Sequence, residues 1–401
     1  MIKNGDILSN ITYRVMSSLL LIITAPYIIH KFGVEDFGRL QILIQWTLTF
    51  ALLDFGISSA IINNIKIQAI IKLKLFRTLT FYILLVFTFS LLLAIGIYLL
   101  FDSLILLCIS LAIVHIYSIM IFSLASTNLM LSEYQKYYNL GILISALCIF
   151  LFIDQFSSYE VVYFIWMSPF IVGSIIALAK TGLSYRCTVS LKRLKIIYFS
   201  VDGHKFFYLT LISVVSFSLD HFIIAYCLGY EDVTEFTLHS KIVTPFLMLF
   251  TAGHLVFWGT LNNVKLNRTE REYNQIVKLY VYKLTVIYIV SLFLLFLVSE
   301  PLLNLISAGK ITYDLFLTIN IILFSTLNVF GGILVVLLSL DGAIDIQITQ
   351  GLKAMFLNIF FSLILVFLIG TAGPIVASNI ALVYYYGRLL KEYYGRKLLT
   401  V

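Results

Sequence analysis

The stretch FFYLTLISVVSFSLDHFIIAYCLGYEDVTEFTLHSKIVTPFLMLFTAGHLVFWGTLNN, residues 206–263, decides how this chain is read. Two hydrophobic runs flank the turn Leu228-Gly229-Tyr230-Glu231-Asp232, each long enough for a helix across a bilayer core, which takes about 20 residues. The first run carries Asp220 and His221, the second Lys241 and His254. Ionisable groups inside a span are energetically costly and mark sites. The stretch also repeats the start of the chain. Cys227-Leu228-Gly229-Tyr230-Glu231-Asp232 matches Lys31-Phe32-Gly33-Val34-Glu35-Asp36, and Leu261-Asn262-Asn263-Val264-Lys265 matches Ile62-Asn63-Asn64-Ile65-Lys66. Both separations are close to half of the 401 residues, which points to internal duplication.

Composition places the whole chain in a membrane. It is 61% hydrophobic and 12% charged, where soluble domains carry about 25% charged residues. Scanning for apolar runs of span length gives twelve candidates: 11–29, 39–62, 79–100, 104–127, 138–156, 161–180, 206–228, 236–261, 279–299, 314–338, 350–369 and 373–390. Pro374 suits the first turn of the last one. The first run has no small-residue cleavage site and reads as a retained span.

Lysine and arginine placement sets the orientation. With twelve spans and a cytoplasmic N-terminus, only Lys31, Arg39 and Lys310 of the 27 fall on the outer side, and only Lys241 within a span. The formal charge of +7 is therefore a topology signal rather than a nucleic-acid footprint. Both termini are expected in the cytoplasm. The longest inner connection, residues 181–205, is a basic linker between an N-terminal six-helix lobe (1–180) and a C-terminal one (206–401). Leu191, Leu194, Ile197 and Tyr198 alternate there with Lys192, Arg193 and Lys195, the pattern of a basic loop or of a short helix on the inner leaflet. Six spans per lobe put the pseudo-twofold axis along the membrane normal. The expected fold is thus all-α and polytopic, with two pseudo-twofold-related lobes around a central cavity.

The chemistry that the sequence excludes is as informative. There is no GxxxxGK[ST] or GxGxxG signature, no metal-ligand cluster and no nucleophile elbow. The four cysteines form no CxxC pair. The outer loops are short and acidic, too small for a catalytic domain. No catalytic residue, metal, cofactor or nucleic-acid partner is expected, and an enzyme is not.

Candidate residues cluster in equivalent spans of the two halves. Arg14 and Asp54 fall in spans 1 and 2, Asp220 and Lys241 in spans 7 and 8. Counting at about 1.5 Å per residue puts Asp220 and Lys241 within about 5 Å in depth, and Arg14 and Asp54 within about 7 Å. Each pair reads either as an ion pair that locks two helices or as a polar patch lining a cavity. His239 sits near the interface and reads as an anchor, His115 as a packing residue, and Arg39 as a snorkelling cation. Pro26, Pro169, Pro245 and the pair Gly331-Gly332 are expected to kink or interrupt their helices.

These motifs resemble a family. Asn10, Pro26-Tyr27, Phe32-Gly33-Val34-Glu35-Asp36-Phe37-Gly38 and Leu53-Asp54-Phe55-Gly56-Ile57 look like the start of Wzx-type flippases of the multidrug/oligosaccharidyl-lipid/polysaccharide exporter superfamily, and Asp220, Leu228-Gly229 and Lys241 are similar to its seventh-to-eighth span region. Thr234 and Phe236 depart from the Gly and Tyr usual in that turn. The resemblance implies alternating access and an undecaprenyl-diphosphate-linked oligosaccharide, such as an O-antigen unit of lipopolysaccharide biosynthesis, moved across a bacterial inner membrane. A cation-coupled small-molecule exporter of the same plan is the alternative, and a membrane polysaccharide polymerase a more distant one. Arg14, Lys241, Arg39 and His254 would then contact the substrate. Asp54, Asp220 and His221 would couple an ion or form charge pairs. The implied partners are the lipid-linked substrate, membrane lipids and a polysaccharide polymerase.

Overall fold

The computed structural model describes residues 22–49, 131–168, 203–267 and 270–398. Regular structure among them is helical throughout, with no strand. In chain order these are α1 (22–32), α2 (Val34–Thr49), α3 (Leu131–Phe152), α4 (159–168), α5 (Gly203–Cys227), α6 (Tyr230–Asn267), α7 (Glu270–Ile306), α8 (Leu315–Leu340), α9 (Ile344–Ile369) and α10 (Gly373–Leu398). The runs at 79–100 and 104–127, residues 181–202 of the linker, Pro169, His115 and the Asn63 repeat lie outside the described residues, and the last three residues of the expected linker, 203–205, open α5.

Glycine and cap chemistry set the helix ends. At the end of α5 the N–H groups of Leu228 and Gly229 both donate to the Ile224 carbonyl, at 2.9 and 3.1 Å. Gly229 has φ +130°, which only glycine adopts cheaply, and the chain turns there into α6. Asp314 caps α8 by accepting from the Leu317 N–H at 3.0 Å. Pro374 does sit in the first turn of α10.

Four helical stretches among the described residues are long and apolar enough to cross a membrane: His204–Cys227, Glu270–Ile306, Leu315–Leu340, and Ile344–Gly395, which joins α9 to α10. The chain is a multi-pass membrane protein. Helix α6 is not among the four, although the sequence assigns it a span. Its ionisable residues lower its hydropathy, while its apolar residues Phe250, Phe257 and Leu261 pack in a core with Tyr288 of α7 and Val329 of α8. By contrast, α7 exposes Ile287, Val290, Phe293 and Leu297, a stripe suited to lipid.

The chain divides into two compact units, Lys31–Leu219 and Asp220–Val401 together with Met1–His30. In the second, α10 packs on α8 and α9, and α6 on α7 and α8. Here Gly331-Gly332 corrects the sequence expectation, because α8 runs through it unbroken. A Cβ on Gly331 would run into the Tyr386 ring, and one on Gly332 would lie 2.7 Å from His254 Cδ2. The pair is a notch that admits two rings rather than a break. Pro245 likewise leaves α6 continuous, although it removes the N–H that would reach back to the Lys241 carbonyl.

Candidate functional site

Among the described residues of the second unit, Asp220 is the most deeply placed carboxylate, 3% exposed. One oxygen, Oδ2, accepts from the Ser378 hydroxyl at 2.9 Å. The other, Oδ1, is buried and has no hydrogen-bond partner. Ser378 Oγ also lies 3.3 Å from Asn358 Oδ1, which accepts from Ser362 Oγ at 3.0 Å. Asn358, Ser362 and Ser378 are all buried. Three helices thus bring together a carboxylate, an amide oxygen and two hydroxyls. The two hydroxyls bring one hydrogen each, so Ser378 serves Asp220 or Asn358 but not both at once. The cluster has more oxygen lone pairs than donors, and buried oxygens of that kind are satisfied by a proton or a hard cation.

The sequence reading pairs Asp220 with Lys241. The structure corrects this: the Asp220 carboxylate turns to Ser378 on α10. The His221 ring meets Phe236 edge-on, with centroids 4.9 Å apart, and its Nδ1 is buried without a hydrogen bond.

His254, expected at a substrate site, has both ring nitrogens engaged. Nε2–H donates to the Val329 carbonyl at 2.8 Å, and Nδ1 accepts from the Tyr280 hydroxyl at 2.8 Å. This neutral ring ties α6 to α7 and α8 and fills the Gly332 notch. It is a structural clasp in this conformation. His239 works the same way nearer the turn, where an anchor is expected. Its Nδ1–H donates to the Glu235 carbonyl at 2.8 Å, and Nε2 accepts the Asp314 N–H at 3.1 Å.

Arg39 pairs with Glu35 at 2.7 Å and Asp36 at 3.6 Å on its own helix. The other two expected outer cations cap helix ends. Lys31 Nζ donates to the Asp154 carbonyl and Lys310 Nζ to the Ile29 carbonyl, each at 3.0 Å. Near the second turn, Thr371 Oγ1 lies 3.1 Å from both Asp232 Oδ1 and Glu235 Oε2. Burial pushes the Glu235 carboxyl above its ordinary range, and the Thr371 hydroxyl partly offsets this. Arg14 and Asp54 lie outside the described residues.

Asn358, Ser362 and Ser378 escape a search for charges because they are neutral. The available signal is Asn358 and Ser362 at i and i+4, one polar face in an apolar run.

No protein-family model matches the chain. No curated protein matches it either. Solved structures do share its fold. A structure titled lipid II flippase MurJ, inward closed conformation, superposes with TM-score 0.66 at 17% identity, covering 96% of this chain and 86% of that one. An inward-facing multidrug resistance MATE family transporter of the MOP superfamily gives 0.59 at 14%, covering 99% and 96%. A MATE structure in complex with MaL6 gives 0.61 at 16%, covering 98% and 96%. At identities this low the likeness shows a shared fold alone.

Proposed function

We propose that the chain is a flippase that moves a lipid-linked oligosaccharide diphosphate from the cytoplasmic to the outer leaflet by alternating access between two lobes, coupled to a cation. The observation that carries the coupling is the buried oxygen cluster of Asp220, Asn358, Ser362 and Ser378. A lone buried carboxylate with an unpartnered oxygen is destabilising unless a proton or cation joins it. Binding or release of that charge between α5, α9 and α10 then biases how these helices pack, which is what an alternating-access carrier needs.

The substrate class rests on three supports: the Wzx-like motifs, the fold shared with a lipid II flippase, and the absence of a nucleotide-binding signature in the sequence. The inner-membrane location with both termini cytoplasmic follows the lysine and arginine bias. The fold shared with MATE transporters favours the second reading, a cation-coupled small-molecule exporter.

The purified chain in proteoliposomes tests both. A lectin outside the vesicles reads the appearance of a short undecaprenyl-diphosphate oligosaccharide under an imposed proton or sodium gradient. Flipping that accelerates with one gradient is the expected result. Flipping at the protein-free rate, with gradient-driven efflux of a cationic dye, would replace the flippase by the exporter.

A further inference from the structure

Near the Gly229 turn, two carboxylates converge on one hydroxyl. Thr371 Oγ1 belongs to the 3-10 joint Gly370–Ala372 between α9 and α10. It lies 3.1 Å from Asp232 Oδ1 and 3.1 Å from Glu235 Oε2. A hydroxyl brings one hydrogen, and ionised carboxylates bring none. With both acids ionised, Thr371 donates to one and turns a lone pair towards the other. Two like charges then face one another across it. One added proton repairs the arrangement. A protonated Glu235 donates to Thr371 Oγ1, Thr371 donates to Asp232, and each contact holds one hydrogen.

The surroundings decide which acid takes that proton. Asp232 lies in the first turn of α6, where free backbone N–H groups and the helix dipole favour a negative charge. Glu235 lies in the second turn, where that effect has faded. Burial pushes its carboxyl up, the Thr371 hydroxyl offsets part of this, and the charges of Asp232 and Asp314 push it further up. Asp314 is committed as the cap of α8. The basic group beside Glu235 is His239, and both of its ring nitrogens are engaged, one with the Glu235 carbonyl and one with the Asp314 N–H. Tyr313 stacks on that ring, its hydroxyl committed to Ser299. We infer that Glu235, Thr371 and Asp232 form a proton-operated latch that fastens the start of α6 to the joint between α9 and α10. The latch goes beyond the proposed transport function and needs no substrate. It acts on the helix pair that carries Asn358, Ser362 and Ser378. A carboxyl raised in the folded chain stabilises it at acidic pH, and that contribution is lost as pH rises through the raised value. Acid therefore fastens this end of the helices and alkali loosens it. With both termini cytoplasmic, as proposed above, the acid that does so is external.

The test is amide hydrogen exchange across residues 371–373 of the purified full chain, in detergent containing EDTA, from acidic to alkaline pH. Protection, corrected for the intrinsic rate at each pH, should fall roughly tenfold over that range in the wild-type chain, the weight of one hydrogen bond to a charged group. Glu235→Gln, whose amide donates to Thr371 as the protonated acid does, should keep the acidic value throughout. Thr371→Val should show the low alkaline value throughout. A flat wild-type profile, or the wild-type fall persisting in either variant, would overturn the latch. Wild-type protection that is low at every pH and restored by calcium would assign the two carboxylates to a metal ion and overturn it as well. These readouts involve neither lipid nor gradient, so their failure is distinguishable from failure of the flippase reading.

Discussion

The two glycine turns, Lys31-Phe32-Gly33-Val34-Glu35-Asp36 and Cys227-Leu228-Gly229-Tyr230-Glu231-Asp232, begin as one device and end as two. In each, a glycine at positive φ, +94° at Gly33 and +130° at Gly229, joins two helices. In each, the glycine carbonyl accepts a 3.3 Å hydrogen bond from the residue four positions on, Phe37 or Val233. The acids that follow are treated differently. Glu35 and Asp36 are satisfied locally by Arg39 on the surface. Asp232 and Glu235 share the hydroxyl of Thr371, from the joint between α9 and α10, and deeper on α5 lies the Asp220 cluster. The two turns share a backbone, while the side chains around the second take part in long-range polar contacts.

Breaking the second network should have the largest effect. Asn358→Leu removes an oxygen from the cluster at similar volume, and glycan export should fall at least about tenfold while abundance in the membrane holds, as for loss of a hydrogen bond to a charged group. Surface-glycan quantification against protein level reads both. Next come the glycines. Gly33→Ala and Gly229→Ala should each destabilise by about 1–2 kcal/mol, because alanine resists positive φ even where its Cβ meets nothing within 4 Å. Similar losses of thermal midpoint in detergent would support equivalent turns, and a gap above about 1 kcal/mol would break the equivalence. Thr371→Val should cost about 1 kcal/mol, since it removes the hydroxyl that Asp232 and Glu235 share. Arg39→Gln should cost less than about 0.5 kcal/mol, because its ion pairs are exposed. An Arg39 effect larger than that of Thr371 would reverse the contrast between the two turns.

Much of this was legible in the sequence because membrane helices write themselves in long apolar runs and glycines punctuate them. Gly229, Pro374 and the helices from 203 onward fall where the pattern puts them. The site was half legible. Asp220 stands out as a charge in an apolar run, but its partner does not. Depth counting along two adjacent helices favoured Lys241, and it cannot see that α10, far along the chain, carries Ser378 to the same place. Neutral partners such as Asn358 and Ser362 carry no hydropathy signal strong enough to separate them from packing residues. His254 stands out in the sequence as a histidine in a span, but its partners, Tyr280 and the Val329 carbonyl, lie on helices that no local pattern connects to it. Gly331-Gly332 looked like a break because a glycine pair weakens an isolated helix, yet here it makes room for Tyr386 and His254.

The central claim is that Asp220 carries a coupling charge for export, and Asp220→Asn tests it most directly. The amide keeps the shape and can still accept from Ser378, but it cannot carry the charge or take up a proton. With membrane abundance matched to wild type, gradient-driven flipping of the lipid-linked oligosaccharide in proteoliposomes should fall to the rate seen without a gradient. Gradient-driven flipping at the wild-type rate in that variant would contradict the account.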